Sequence, residues 1–173
     1  ALHLEMSPSA RLFLRPILIF SQAIPVFALA PLLTLWLGYG MISKVTMAVL
    51  IIYFPVTSAL HDGLVNTPVG YLHLSSVMGA SKLKTLFLIK FPAAMPSLLS
   101  GIKLSAVYAP IGATIGEWVG SSQGLGYLML LANGRVKTDL MFAALFTLGA
   151  LSMGLYGLVA LLIRRYFARF QAN

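Results

Sequence analysis

The stretch GASKLKTLFLIKFP, residues 79–92, lies in the long polar segment between two apolar runs of membrane-crossing length. Nine residues separate Gly79 from Ile89, and Ile89 is followed by Lys90, Phe91 and Pro92. A glycine permits a tight turn, because it has no side chain to oppose a reversal of the backbone. The stretch therefore predicts a helix–turn–helix at the surface of a membrane protein, between two spans.

The composition indicates a membrane protein. The chain of 173 residues is 59% hydrophobic and 9% charged, with a mean hydropathy of +0.91. A soluble domain carries about a quarter charged residues. So few charged side chains cannot cover a water-facing surface, which excludes an ordinary soluble domain.

The charge and the cysteine count exclude further classes of protein. The net charge is +8, but the 12 Lys and Arg are scattered at the ends of apolar runs and form no single patch. Nucleic acid is therefore not expected as a partner, and cationic ends suit the cytoplasmic face of a bilayer. The absence of cysteine excludes disulfides, thiolate metal sites and cysteine nucleophiles.

Four apolar runs are long enough to cross a bilayer, which takes roughly 20 apolar residues. The bilayer core offers no water to backbone groups, so the spans must be helices or a closed barrel. The runs lack the alternation of barrel strands, and we therefore expect an all-α, polytopic transmembrane helix bundle in one domain, 1–173. The runs are 16–39, 41–60, 97–119 and 140–163.

The basic residues predict the orientation. If the 61–96 loop is cytoplasmic, eight basic residues lie inside and three outside, with Lys103 within a span. This bias favours cytoplasmic termini and a cytoplasmic loop. The inside residues are Arg11, Arg15, Lys82, Lys84, Lys90, Arg164, Arg165 and Arg169, and the outside residues are Lys44, Arg135 and Lys137.

Proline and small residues mark the spans. Pro25 and Pro31 interrupt the first span and Pro55 the second, and each can bend a helix or unwind it for a functional purpose. Small residues four apart let helix backbones approach closely, which favours packing within the chain over a homodimer seam. They are Gly112, Gly116 and Gly120 on the third span, and Ala150 and Gly154 on the fourth.

No constellation of residues predicts catalysis or metal binding. The chain has three His and four acidic residues, and His61, Asp62 and His73 are expected to be interfacial polar groups. There is no GxSxG elbow, HExxH motif or phosphate-binding loop, and the glycine-rich segment 120–127 predicts a turn-rich loop. Glu117 is an acid within a span, beside Trp118, and we expect it to have a structural or gating role on the translocation path.

The 73–92 segment resembles the cytoplasmic EAA loop of binding-protein-dependent ABC importers, whose consensus is EAA-x3-G-x9-I-x-L-P. The glycine, isoleucine and proline match at that spacing, Phe91 replaces leucine, and His-Leu-Ser replaces the EAA triplet. The resemblance implies a loop that couples to an ATPase through His73, Leu74, Ser75, Gly79, Ala80, Ser81, Lys82, Leu83, Ile89, Phe91 and Pro92.

Further segments resemble the permeases that handle sulfonates, taurine, nitrate and the hydroxymethylpyrimidine precursor of thiamine. These are residues 21–33 with 36–40, GEWVG at 116–120 with GLGYL at 124–128, and TDLMFA at 138–143. The GEWVG stretch favours the pyrimidine precursor over a sulfonate. Such permeases have five or six spans, so the chain is expected to be the C-terminal part of a type I importer permease whose first spans precede Ala1.

The resemblance also implies the partners. A cytoplasmic ATPase would hold ATP and magnesium, so no cofactor is expected on this chain. An extracytoplasmic binding protein would deliver the solute, and a second permease copy, as a homodimer, would complete the path in the bacterial inner membrane lipid. The alternatives are a self-contained secondary carrier or channel, which would want more ionisable groups within the spans, and a membrane-embedded enzyme.

The predicted topology can be tested by labelling single cysteines placed in this cysteine-free chain. Cysteines at Ser81 and Ser122 should react with an impermeant thiol reagent from opposite sides of the membrane, since the basic residues place the two loops on opposite faces. If the reagent reaches the cysteine at position 81 from outside intact cells, the orientation is wrong.

Overall fold

The computed structural model describes residues 12–13, 16–17, 20 and 24–171. Within these residues the chain forms helices and no strand, so the all-α prediction is confirmed. The elements are α1 (Val26–Leu37), α2 (Met41–Val65), α3 (Val69–Val77), α4 (Lys82–Thr85), a π-helical turn (Leu86–Lys90), α5 (Phe91–Gly120), α6 (Leu125–Gly134) and α7 (Thr138–Gln171).

Three helical runs of the described chain are long and apolar enough to cross a membrane. They are Met41–Val65, Lys82–Gly120 and Thr138–Phe167, with 25, 39 and 30 residues, and they contain the predicted spans 41–60, 97–119 and 140–163. At about 1.5 Å per residue the second run is about 58 Å long, whereas the hydrocarbon core is about 30 Å thick. Part of this run must therefore extend beyond the membrane.

The first predicted span, 16–39, is described only in part. The longest continuous helix described within it is α1, whose 12 residues are fewer than a crossing requires. The helix begins after Pro25, which is extended at φ −61° and ψ 120°. Helices α1 and α2 continue through Pro31 and Pro55, so the unwinding considered at these two prolines is not observed.

The glycine-rich segment is shorter than predicted. The turn covers residues 121–124, and α6 begins at Leu125, so the expectation of a loop through residue 127 is wrong. Gly124, at φ 118°, precedes the helix. The apolar run that follows, LGYLMLLA, then continues as a helix even though its second residue is a glycine.

The described chain divides into two compact units, one that contains residues 54–102 and another that contains residues 24–53 and 103–171. In the first unit, Leu64, Leu86 and Ala94 form a small buried cluster against which Leu60 packs. Here the end of α2 lies close to the start of α5. A methyl group on Gly101 would lie 2.7 Å from the carbonyl oxygen of Pro55, so only a glycine fits at this contact.

In the second unit the glycines of α5 lie against other helices of the same chain. A methyl group on Gly112 would lie 2.7 Å from the Cα of Ala48 in α2, and one on Gly116 would lie 3.2 Å from the Cα of Lys44. A methyl group on Gly120 would meet Thr34 of α1 at 2.6 Å. These glycines therefore allow three helices to pack closely within one chain.

The other small-residue pair behaves differently. Ala150 and Gly154 of α7 are exposed, and a methyl group on Gly154 would meet no atom within 4 Å. The expectation that this pair packs within the chain is therefore wrong for the described residues. Helix α7 does pack against α6. The most apolar 18-residue stretch of α7, however, contains no buried residue, which leaves a surface for lipid or a partner.

Helices α3 and α6 end in the same backbone arrangement. At the end of α3, Ala80 N–H donates to Ser75 O at 3.0 Å and Gly79 N–H donates to Ser76 O at 3.1 Å, which defines a Schellman motif. At the end of α6, Lys137 N–H and Val136 N–H make the equivalent bonds to Ala132 and Asn133. The residue with positive φ is a glycine at 79 (64°) but a valine at 136 (55°).

The close contact of α5 with α2 predicts opposite effects for two glycine substitutions. Gly112→Ala should lower the free energy of unfolding by about 1–3 kcal/mol, because its methyl group meets the backbone of Ala48. Gly149→Ala is the matched control: its methyl group meets no atom within 4 Å, so it should raise stability by about 0.5–1 kcal/mol. Thermal unfolding in detergent measures both. Equal effects would show that α5 and α2 are not in close contact.

Candidate functional site

The segment 69–92 forms the predicted helix–turn–helix. Helix α3 ends at Val77, the chain turns through Met78 and Gly79, and α4 begins at Lys82. Gly79 has φ 64°, and a methyl group there would meet no atom within 4 Å. The position therefore favours glycine for its backbone conformation and not for lack of space.

Two serines fix the geometry of this turn. Ser75, at 4% exposure, shares a 2.8 Å hydrogen bond between hydroxyl groups with Thr85, which joins α3 to the end of α4. Ser81 precedes α4, and its Oγ accepts from the Lys84 N–H at 3.4 Å in the manner of an N-cap. The turn is therefore held from inside by polar groups of its own.

The outside of the turn is apolar and basic. His73, Lys82 and Lys84 are exposed. Ala80, Ile89 and Phe91 are half-buried, and Pro92 is exposed. Large apolar side chains that are more than half exposed cover the rest of the surface; they are Tyr71, Leu74, Val77, Met78, Leu83, Phe87 and Leu88.

A second site lies in the other unit, where α5 ends. Glu117 accepts a 2.6 Å hydrogen bond at Oε2 from the N–H of Gly126, in the first turn of α6. The carboxylate supplies an acceptor for an N–H that has no partner within its own helix. The partial positive charge at the start of α6 in turn stabilises the negative charge of the carboxylate. The carboxylate thereby ties the start of α6 to α5.

Trp118 strengthens the same connection. Its indole Nε1–H donates to the carbonyl oxygen of Gly126 at 3.0 Å, and its ring meets Phe27 of α1 edge-on at 6.5 Å between centroids. Gly126 thus receives one hydrogen bond and donates another to neighbouring residues of α5. The stretch GEWVG is accounted for here by contacts within the chain.

Lys44 of α2 reaches the loop that follows α5. Its Nζ donates to Ser121 Oγ at 2.8 Å, and Gln123 N–H donates to the same oxygen at 3.2 Å. Two clefts of about 450 and 500 Å³ adjoin this lysine. One is lined by Met41, Lys44, Val45, Ala48, Ala113, Glu117, Gln123 and Gly124, the other by Tyr39, Gly40, Met41, Lys44, Val119, Gly120, Ser121, Ser122 and Gln123.

Sequence reasoning identified Glu117 and Trp118 but missed their partners. Gly126, which contacts both, lies in the GLGYL stretch, but that stretch suggested only a resemblance and not a contact with Glu117 or Trp118. On the sequence alone, Lys44 counts only as one of the basic residues outside the membrane. Its place as the fourth residue of an apolar run of membrane-crossing length was the feature that could have suggested a functional role.

The comparison with protein families identifies the kind of protein. The model of the family described as "Binding-protein-dependent transport system inner membrane component" matches residues 2–171. This match extends over nearly the whole chain and includes both sites described above.

Named relatives support the same assignment. The chain is 54% identical over 96% of its length to the "Probable ABC transporter permease protein" of Haemophilus influenzae. It is 40% identical over 84% of its length to the "Formylaminopyrimidine transport permease protein ThiX" of Halalkalibacterium halodurans, and 30% identical over 80% to the "Putative aliphatic sulfonates transport permease protein SsuC" of Bacillus subtilis. The chain spans 68%, 58% and 50% of these relatives' lengths.

The contact between Glu117 and α6 predicts a graded response to substitution. Glu117→Gln keeps an acceptor for Gly126 N–H but removes the charge, and should cost about 1 kcal/mol of unfolding free energy. Glu117→Ala leaves that N–H without its acceptor and should cost about 1–3 kcal/mol. Thermal unfolding in detergent compares the two variants.

A pair of glycine variants controls this series. Gly124→Ala should be at least as destabilising as Glu117→Ala, because φ is 118° and its methyl group would collide with the Glu117 carboxylate. Gly134→Ala, at the open end of the same helix, should not destabilise. A Glu117→Ala protein as stable as the parent would contradict a structural role for the carboxylate.

Proposed function

The chain belongs to the family of binding-protein-dependent transport system inner membrane components, and we propose that it forms part of the translocation path of an ABC importer for a small polar solute. Members of this family are permease subunits and not enzymes. The three apolar helical runs and the family agree on a multi-pass protein of the inner membrane. Membership also sets aside the self-contained carrier or channel.

The coupling to an ATPase is supported by the helix–turn–helix of the first unit. We call residues 77–87 the tip of this helix–turn–helix. The tip exposes apolar side chains beside two lysines, and Val77 is 85% exposed. A contiguous apolar surface with basic neighbours is typical of an interaction site. Lipid is an unsuitable cover for this tip, because Lys82 and Lys84 lie within it and the predicted topology places it in the cytoplasm.

We assign this surface to the cleft of a cytoplasmic ATPase that carries the ATP and the magnesium. The cleft would be apolar at its centre, to receive Val77, Leu83 and Phe87, and acidic at its rim, to pair with Lys82 and Lys84. The tip is suited to transmit force because the Ser75–Thr85 hydrogen bond and the Schellman turn hold α3 and α4 in one geometry. A loop without such bonds would deform before it moved a span.

The other partners are proposed from the family. An extracytoplasmic binding protein would deliver the solute, and a second copy of the permease would complete the path. The exposed apolar face of α7 leaves room for that copy or for lipid. The solute proposed from the relatives is a thiamine-type pyrimidine or an organic sulfonate, since two of them are named as permeases for formylaminopyrimidine and for aliphatic sulfonates.

The coupling proposal predicts a selective effect of Gly79→Val. A β-branched residue at φ 64° costs roughly 1–2 kcal/mol, which should distort the tip and weaken capture of the ATPase from a mixture of purified subunits. Gly70→Val is the matched control, because Gly70 is equally open but lies in α3 without a positive φ. The control should retain capture.

The result is interpreted only for variants that insert normally into the membrane. The proposal is contradicted if the Gly79→Val permease captures its ATPase as well as the Gly70→Val permease does and transports at the same rate. A loss of capture in both variants would indicate general damage to α3 and would equally count against a specific role of the turn.

A further inference from the structure

Lys44 occupies a position that stability alone does not favour. It is the fourth residue of α2, where the helix end carries a partial positive charge. The side chain is half-buried and lies within one of the apolar runs long enough to cross the membrane. A cation is unfavourable near the positive end of a helix, and a charged group is unfavourable within an apolar run of membrane-crossing length. An ionisable group within a span is by default a candidate for function.

The structure holds this lysine in one direction. Its Cα, Cβ and Cγ lie against Gly116, where an added methyl group would be only 3.2 Å away. The far end of the side chain donates to Ser121 Oγ at 2.8 Å. Since both ends are in contact, the ammonium group is directed to the loop 121–124.

The groups around the ammonium do not compensate its charge well. Ser121 is neutral, and its hydroxyl donates in turn to the carbonyl oxygen of Gln123. Glu117 lines one of the two clefts with Lys44, but its Oε2 accepts from Gly126 and its charge is partly balanced by the end of α6. Oε2 of the carboxylate is therefore engaged by α6, and Glu117 lines the smaller cleft but not the larger one.

The space beside Lys44 fits a small molecule. The two clefts, of about 450 and 500 Å³, lie within the usual range of about 300–1,000 Å³ for ligand pockets. Lys44 is the one cation among the described residues that line them, and Ser121, Ser122 and Gln123 add hydroxyl and amide groups. Glu117 adds a carboxylate to the smaller cleft, whereas the described residues that line the larger cleft include no acid and combine the positive charge of Lys44 with neutral polar groups.

We propose that Lys44, held in place by Ser121 and joined by the side-chain amide of Gln123, binds the anionic group of a small solute, such as a sulfonate, carboxylate or phosphate. This rests on the proposed importer function and specifies the chemistry of its cargo, favouring the anionic class over the neutral pyrimidine. An ammonium group binds an anion through charge-assisted hydrogen bonds, which are stronger than neutral ones, and an amide N–H can add a further donor. A neutral heterocycle would leave the charge of Lys44 uncompensated.

Binding can be measured with a reporter cysteine, because the chain has none of its own. Ser122→Cys places a thiol at the edge of the larger cleft. The permease, assembled with its ATPase in proteoliposomes, is modified by a small uncharged thiol reagent, and the cysteine-free permease in the same assembly gives the background. Methanesulfonate is the anionic probe, and dimethyl sulfone, which has nearly the same shape but no charge, is the control.

Methanesulfonate should slow the modification of the cysteine at position 122 several-fold, whereas dimethyl sulfone at the same concentration should not. Lys44→Met, which keeps an unbranched stem of similar length but removes the charge, should weaken the apparent affinity for methanesulfonate about 10- to 100-fold, the loss expected for one charge-assisted hydrogen bond. Lys44→Arg should retain most of the protection.

Three results would overturn the proposal. Equal protection by the two probes would show that charge is not recognised, and undiminished protection in the Lys44→Met permease would show that Lys44 is not the binding group. Protection by solute-free binding protein, dependent on Lys44, without protection by methanesulfonate would assign the lysine to docking of an acidic protein surface. Every variant in this assay keeps Gly79, so its outcome does not depend on the result of the Gly79→Val test, and either proposal can succeed where the other fails.

Discussion

The close approach of α5 to its neighbours is the contact on which the second unit depends. Gly112, Gly116 and Gly120 meet Ala48, Lys44 and Thr34 at distances that admit no side chain larger than hydrogen without movement. Helices in a bilayer gain little from hiding apolar surface, so the fit of their surfaces decides which of them associate. The missing side chains of Gly112 and Gly116 let backbone lie against backbone, and that of Gly120 leaves room for the methyl group of Thr34.

That contact also positions the polar groups at the end of α5. Gly116 holds the stem of Lys44, and the hydrogen bond from Lys44 then holds Ser121. Glu117 and Trp118, on the same turn as Gly116, reach Gly126 and fix the start of α6. The glycines therefore do more than bring helices together, because they set the place of both clefts and of the loop between them.

The sequence predicted what depends on composition and local conformation. The apolar runs predicted three of the helices, and the glycine in the 79–92 stretch predicted a turn that the structure places at a positive φ. Contacts between distant residues were beyond it: Lys44 and Ser121 are 77 residues apart, and neither belongs to a motif. Small residues four apart occur in both α5 and α7, yet Gly112 lies in close contact with another helix whereas Gly154 has no neighbour within 4 Å of an added methyl group. The spacing permits a close approach of two helices but does not supply the second helix. Val136 shows the same limit, since a valine gives no sequence signal of a positive φ.

Contact between the exposed tip of the first unit and an ATPase is the central proposal. Val77 and Val136 offer a matched pair for a direct measurement, because Val77 is the last residue of α3, Val136 lies in the turn after α6, and the two are 85% and 83% exposed. A photo-reactive amino acid at each position, in cells that make the whole importer, would capture the neighbour. Position 77 should capture a protein identified by mass spectrometry as the importer's ATPase, and position 136 should not. Capture of the ATPase from position 136, or from neither position, would contradict it.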